Sequence, residues 1–381
     1  MKTFHLPSFP LYWRMTDHPN AARPEGIPAR APFAFTCDPE LGLIRQDLSP
    51  ELDQALECVY RAEANVGYLQ VGQSLADAYG QDLWRFIESA FKQYGTPVSA
   101  LEIGCGGCYI LDLLVKAGVH AVGIDPSPIA IKTAADMGFA VVEGFFPHPD
   151  TSGPYDLILH SDVLEHVSDP VQFLKNQVKH LTGGGLVIAA VPDCSQSNAM
   201  GDLSMIIHQH INYFDRESLA ATFRAAGMQP LEIARSGYGG SLYCVGRREV
   251  VQEVAPVGGT AGYDMFCSLA TSVADRFSRE IADAIERGKT VGCYVPLRAF
   301  PYLAVANAFD RVRLFDDSAE MAHHYFDGLT QRVENFADLC ADPCDVVFVM
   351  SYTFGERIKD KLQAALSGRS RIVTLSDLSR D

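Results

Sequence analysis

Ser99-Ala100-Leu101-Glu102-Ile103-Gly104-Cys105-Gly106-Gly107-Cys108, an apolar helical pattern, and then Ala121-Val122-Gly123-Ile124-Asp125-Pro126-Ser127 read in order as strand, glycine turn, helix, strand and acid. A buried strand that ends in glycines lets the backbone approach a ligand closely. A carboxylate that closes the next strand can accept both hydroxyls of a ribose. The unit is a nucleoside-binding one.

The turn narrows the choice of nucleoside. A dinucleotide site needs Gly-x-Gly-x-x-Gly, so that a pyrophosphate can rest on a helix N-terminus, and the third glycine of that pattern would fall at Tyr109. Glu102, two residues before Gly104, is badly placed beside a pyrophosphate but suits a ligand with an ammonium and a sulfonium group, such as S-adenosylmethionine (SAM). On Glu102, Gly104, Gly106, Gly107 and Asp125 the sequence resembles the class I SAM-dependent methyltransferases, whose first motif is an acid, one residue, then Gly-x-Gly-x-Gly. Cys108 stands where the last glycine is usual, with Gly107 one place early.

Composition sets outer limits. A chain of 381 residues suggests two or three domains. Its net charge of -16 argues against a nucleic-acid partner, because phosphate binding needs a clustered positive field. No secretory signal is read in the first 30 residues, and no run approaches the roughly 20 apolar residues of a membrane span. A cytoplasmic protein is expected. The ten cysteines are scattered. Cys105 and Cys108 lie inside the glycine turn with no second pair at ligand spacing, so reduced thiols and no metal are expected.

Three parts are expected in this α/β chain. Residues 1–75 read as a short irregular and helical region, with prolines at 24, 28 and 32 and one helix capped by Ser49 with Pro50 at its first position. Residues 76–250 read as a Rossmann-like, parallel-sheet SAM-binding domain, with strands near 99–103, 120–124, 139–142, 155–160 and 184–191. Residues 251–381 open with a helix bearing Phe266, Leu269, Val273, Phe277, Ile281 and Ile285 on one face, then give strands at 290–294, 313–317 and 345–350. A second, smaller Rossmann-like sheet follows from that alternation. Its first turn, Pro296-Leu297-Arg298, lacks a glycine fingerprint.

Ligands of parallel sheets bind beyond the carboxyl ends of the strands. Two histidine-bearing segments emerge there. One is His160-Ser161-Asp162-Val163-Leu164-Glu165-His166-Val167-Ser168-Asp169-Pro170, after the fourth strand. The other is Ile207-His208-Gln209-His210-Ile211-Asn212-Tyr213-Phe214, after the fifth. Methyl transfer to a weakly acidic atom needs a base near neutral pKa, which histidine supplies. As metal ligands, His208 and His210 are a poor pair, two residues apart and without a clear third donor.

These segments, the Gly239-Gly240-Ser241-Leu242 turn and Phe315-Asp316-Asp317-Ser318 extend the resemblance, over about residues 80–375, to the C-methyltransferases that act on nucleotide-linked deoxysugars. That family has an N-terminal zinc domain, a SAM domain and a C-terminal Rossmann-like domain. The resemblance implies His210 as the general base that removes a proton beside a ketone, and His166 as the group that orients the substrate or steadies an enolate. It implies Glu102, Gly104, Gly106 and Gly107 at the methionine and ribose end of SAM, Asp125 on the ribose hydroxyls, and Ser161 with Asp162 near the adenine or methionine. The chain departs from the family at Gln209, where glutamate is usual, at Ile207, where tyrosine is usual, and in having only Cys37 and Cys58 where the zinc domain stands. O-methylation of a sugar or related metabolite, and SAM binding without catalysis, stay open beside C-methylation.

Overall fold

The computed structural model describes residues 3–19, 21–62, 74–249 and 259–379. The expected domain boundary at 250/251 lies outside the described residues. The chain forms two compact units, one of residues 37–195 and 209–260, the other of residues 1–36, 196–208 and 261–381.

The first unit is built on a seven-stranded sheet. Its strands are β1 (Ser99–Ile103), β2 (His120–Asp125), β3 (Val141–Glu143), β4 (Tyr155–Ser161), β5 (Leu181–Pro192), β6 (Met228–Arg235) and β7 (Ser241–Arg248). They lie in the order β6-β7-β5-β4-β1-β2-β3. All run parallel except β7, which is antiparallel to both neighbours. The sheet is therefore mixed rather than wholly parallel. Alternate residues feed two cores: Leu101, Ile103, Ile158 and Val187 pack on one face, and Ala100, Leu157, Leu159 and Ile188 on the other. A sheet covered on both faces reads as continuous apolar strands, which is how β1, β4 and β5 read. After β1 the chain builds outward through β2 and β3, and after β4 it builds the other way through β5. The change of direction opens a crevice at the carboxyl ends of β1 and β4.

Helix α1 (Pro50–Arg61) belongs to this unit and begins as the sequence predicts, with Ser49 accepting the Leu52 N–H and Pro50 in the first turn. Helix α2 (Ser74–Tyr94) precedes β1, and α3 (Tyr109–Lys116) follows it.

The second unit carries a parallel sheet of five strands, β8 (Val291–Tyr294), β9 (Arg313–Phe315), β10 (Val333–Glu334), β11 (Val346–Val349) and β12 (Arg371–Thr374), in the order β10-β9-β8-β11-β12. Three of these were expected, and β10 and β12 are additional. The helix Ala261–Glu286 buries Phe266, Val273, Phe277 and Ile281 as its periodicity predicts. Leu269 is exposed instead, and Ala270 takes the inward place.

The N-terminal region has its expected helix, but the part before it is not irregular and forms antiparallel strands. His5–Pro10 pairs antiparallel with Arg30–Asp38, from His5 opposite Ala34 to Pro10 opposite Arg30. Leu43–Gln46 pairs antiparallel with Asn212–Tyr213. Phe33 and Phe35 are buried between more exposed neighbours, the period-two pattern of a half-buried strand. The prolines hid it. The register slips between Leu6 and Phe9, near Pro7 and Pro32, and an irregular ladder is where a strand tolerates a residue with no N–H.

Candidate functional site

The glycine turn begins where β1 ends. Gly104 and Gly106 have φ of 72° and 47°, in the left-handed region. Space also demands glycine at 104, because a Cβ there would fall 2.5 Å from Val163 Cγ2. The loop after β4 thus lies directly on the turn after β1. Cys108 adopts φ 59° and ψ 22°, the conformation the usual glycine would take. Its N–H donates to the Cys105 carbonyl at 2.7 Å and its carbonyl accepts the Asp112 N–H at 2.9 Å, which hold that strained backbone in place.

Asp125 ends β2 and is 7% exposed. One carboxylate oxygen accepts the Gly106 N–H at 2.9 Å, and the other accepts the Ser127 N–H at 2.8 Å. Each oxygen keeps a second acceptor site, which is what a ribose diol requires. Burial raises its pKa, and the two backbone N–H groups oppose that. Glu102 is buried beneath the turn, and its Oε2 has no hydrogen-bond partner. Burial pushes its pKa well above the ordinary carboxyl value, with Cys108 and Asp125 adding to the shift and the Leu111 N–H acting against it. A glycine-rich cradle, a ribose-type acid and an unpartnered buried acceptor together fit SAM.

The other wall comes from β4. Asp162, at φ 54°, is fixed by its N–H to the Ala190 carbonyl at 3.0 Å. Its carboxylate accepts from Tyr79 at 3.3 Å and from Ser161 at 3.2 Å, and Ser241 Oγ donates to the Tyr79 hydroxyl at 3.2 Å. Burial lifts Asp162 to about 6. Sequence reading placed Ser161 and Asp162 here but missed Tyr79, on a helix with no motif, and knew Ser241 only as part of a turn.

Asp162 is followed by a corner of three chemically capable groups, Glu165, His166 and His210, whose ligand atoms all lie within 4.8 Å of one another. Two loops must be joined to make it. The Ile211 N–H donates to the Glu165 carbonyl at 2.7 Å, and the Asn212 amide donates to the carbonyls of Leu164 at 3.0 Å and Val167 at 2.8 Å. The His166 and His210 rings stand 5.1 Å apart, each half-buried. His166 Nδ1 donates to the Gln209 carbonyl at 2.7 Å, which turns Nε2 toward Glu165 Oε1 at 3.7 Å. Tyr60 Oη lies 3.2 Å from the same Nδ1. Desolvation lowers His166 to about 4, so the ring is neutral at pH 7.

Gln209, where the chain departs from the family's glutamate, reaches His166 through its main-chain carbonyl, and its Oε1 is buried without a partner. The structure alters one expectation, that the whole segment from Ile207 lies at this rim. His208 belongs to the other compact unit, where it packs on Phe9 at 5.0 Å and lies 3.3 Å from the Ala31 carbonyl. Glu165, in the quoted run but not singled out, is 1% exposed and has neither carboxylate oxygen hydrogen-bonded.

Residues 76–233 match the family model described as "Methyltransferase domain". This segment is a class I, SAM-dependent methyltransferase domain. It covers β1 to β5 and most of β6, and so contains the glycine turn and all three members of the corner. A ubiquinone biosynthesis O-methyltransferase of Caulobacter sp. (strain K31) is 35% identical over 98 residues, 24% of this chain and 39% of that protein. Its counterpart in Caulobacter vibrioides is 34% identical over 101 residues, 24% of this chain and 40% of that one. The chain thus spans about two fifths of the length of these curated relatives. Among solved structures, 1,6-didemethyltoxoflavin-N1-methyltransferase of Burkholderia thailandensis is 16% identical, covering 61% of this chain and 99% of its own, with a TM-score of 0.39. No described helix is long and apolar enough to cross a membrane.

Proposed function

We propose that the chain moves the methyl group of SAM to a small-molecule acceptor that loses a proton at the corner of Glu165, His166 and His210. One observation carries this reading: two imidazoles with ring centres 5.1 Å apart stand at the same strand ends as the SAM cradle. The sulfonium supplies the leaving group, so the domain must hold the nucleophile about 3 to 3.5 Å from the methyl carbon and help it shed its proton. His210 is the group through which that proton is lost. His166, neutral and fixed by the Gln209 carbonyl, orients the acceptor.

The acceptor favoured by the resemblance over residues 80–375 is a nucleotide-linked keto-deoxysugar methylated on carbon. O-methylation is the second reading, favoured by the relatives named as O-methyltransferases, because the same corner can deprotonate a hydroxyl. Incubation with methyl-labelled SAM and a panel of keto-deoxysugar nucleotides and phenols tests both. A label that survives ether cleavage indicates carbon, and a label released by it indicates oxygen. Tight SAM binding with no transfer to any acceptor overturns the proposal in favour of a non-catalytic SAM-binding role.

A further inference from the structure

The corner holds more acceptor capacity than a base needs. We propose that Glu165, His166 and His210 form a divalent-cation site. Two independent observations point to it. The first is the donor set itself, one carboxylate and two imidazoles with ligand atoms inside 4.8 Å of one another. Bonds of about 2.1 Å at tetrahedral angles set donors about 3.4 Å apart, so the 3.7 Å between His166 Nε2 and Glu165 Oε1 is close to ligand spacing, and a pair at the 4.8 Å limit closes by about 1.4 Å through side-chain rotation. The second is Glu165, a fully buried carboxyl with both oxygens unpartnered, a costly arrangement that a cation relieves.

The surroundings match those of a metal-bound histidine. A ligating imidazole usually donates its other N–H to a carbonyl, which fixes its tautomer and its aim. His166 does this through Nδ1 to the Gln209 carbonyl, and the bond from the Ile211 N–H to the Glu165 carbonyl ties the two ligand-bearing loops together. Nitrogen-rich donors suit zinc, cobalt, nickel or iron better than magnesium or calcium. Three protein ligands leave open positions, and His166 and His210 are half-exposed where an acceptor oxygen would arrive. A cation bound there supplies Lewis-acid polarisation of that oxygen. The inference rests on the proposed function and sharpens one part of it: with the ion in place, His210 serves as a ligand, the cation lowers the acceptor's pKa and its proton passes to solvent water, and His210 is the free base only without the ion.

The test uses the untagged 381-residue chain, stripped with chelator and titrated with Co²⁺ alone, followed by calorimetry and by the visible absorption that reports nitrogen ligation. One saturable site per chain is expected, with binding at least tenfold weaker in Glu165→Gln and in His210→Ala. Far-ultraviolet circular dichroism of the ion-free variants checks their folding. If Glu165→Gln fails to fold, His210→Ala carries the same test on a half-exposed ligand. Absence of saturable binding, or unchanged affinity in a folded variant, overturns the site. Labelled methyl transfer is measured in parallel. Transfer without Co²⁺ binding removes the metal site and leaves the proposed function standing, whereas Co²⁺ binding without transfer to any acceptor does the reverse.

Discussion

The Asp125 carboxylate holds the Gly106 N–H at 2.9 Å, so the acid at the end of β2 also fixes the glycine turn at the end of β1. This couples ligand binding to the shape of the cradle. Asp125→Ala removes acceptors for the ribose and releases the N–H groups of both Gly106 and Ser127. We expect SAM and S-adenosylhomocysteine to bind about 1.5 to 3 kcal/mol more weakly, the range for hydrogen bonds to a charged group. Calorimetry reads the change, and unchanged affinity would remove Asp125 from the cofactor site.

Gly104 is constrained by two separable causes, its φ of 72° and the 2.5 Å approach of Val163 Cγ2 to an added Cβ. Gly104→Ala should lower stability by about 2 kcal/mol or more, with part from the left-handed backbone and part from the collision. Val163→Ala in the same chain removes only the collision. The double variant should therefore recover some of the loss, and urea unfolding of the four proteins gives the coupling. Strict additivity would mean that the loop after β4 moves aside without cost.

How much of this was legible in the sequence follows from how local each feature is. The strand, turn, helix and acid from Ser99 to Asp125 sit within one supersecondary unit, and each residue type there answers to a neighbour along the chain. Ser49 as a helix cap was readable for the same reason. The corner was only half readable. His166 and His210 carry their chemistry in their residue type, but the meaning of Glu165 depends on which loop the sheet brings beside it. Tyr79 gave no signal, since its partners lie far along the chain, Asp162 just after β4 and Ser241 at the start of β7. Strands β6 and β7 and those up to residue 46 were missed: β7 returns antiparallel on β6 with no helix between them, and prolines interrupt the first ones.

His160 offers a pH test away from the corner. It is 1% exposed on β4, neither ring nitrogen has a hydrogen-bond partner, and burial lowers its pKa to about 3. In the unfolded chain it titrates near 6.5. Between those values the unfolded state binds a proton that the native state refuses, so stability falls as pH is lowered and is fully present above about 6.5. The slope from this one group approaches about 1.4 kcal/mol per pH unit. His160→Leu should flatten the wild-type loss between about pH 6 and pH 4 in urea unfolding by about that slope. Parallel profiles for the two proteins would mean that His160 becomes protonated without unfolding.

His210 carries the last prediction, because it stands beside His166 at the sheet edge while the cradle residues lie on the neighbouring turn. Replacing it with Gln keeps polarity and approximate size but removes the imidazole, which can accept a proton or give a lone pair to an ion. Either duty is exercised on the acceptor and not on SAM. Thus kcat should fall by about two to four orders of magnitude while SAM affinity by calorimetry stays nearly constant. His166→Gln should cost less, since an amide can still donate to the Gln209 carbonyl and orient the acceptor in part. The ranking decides. Near wild-type turnover in His210→Gln with none in His166→Gln would exchange the two roles, and full turnover in both would leave proximity to the methyl group as the whole of catalysis.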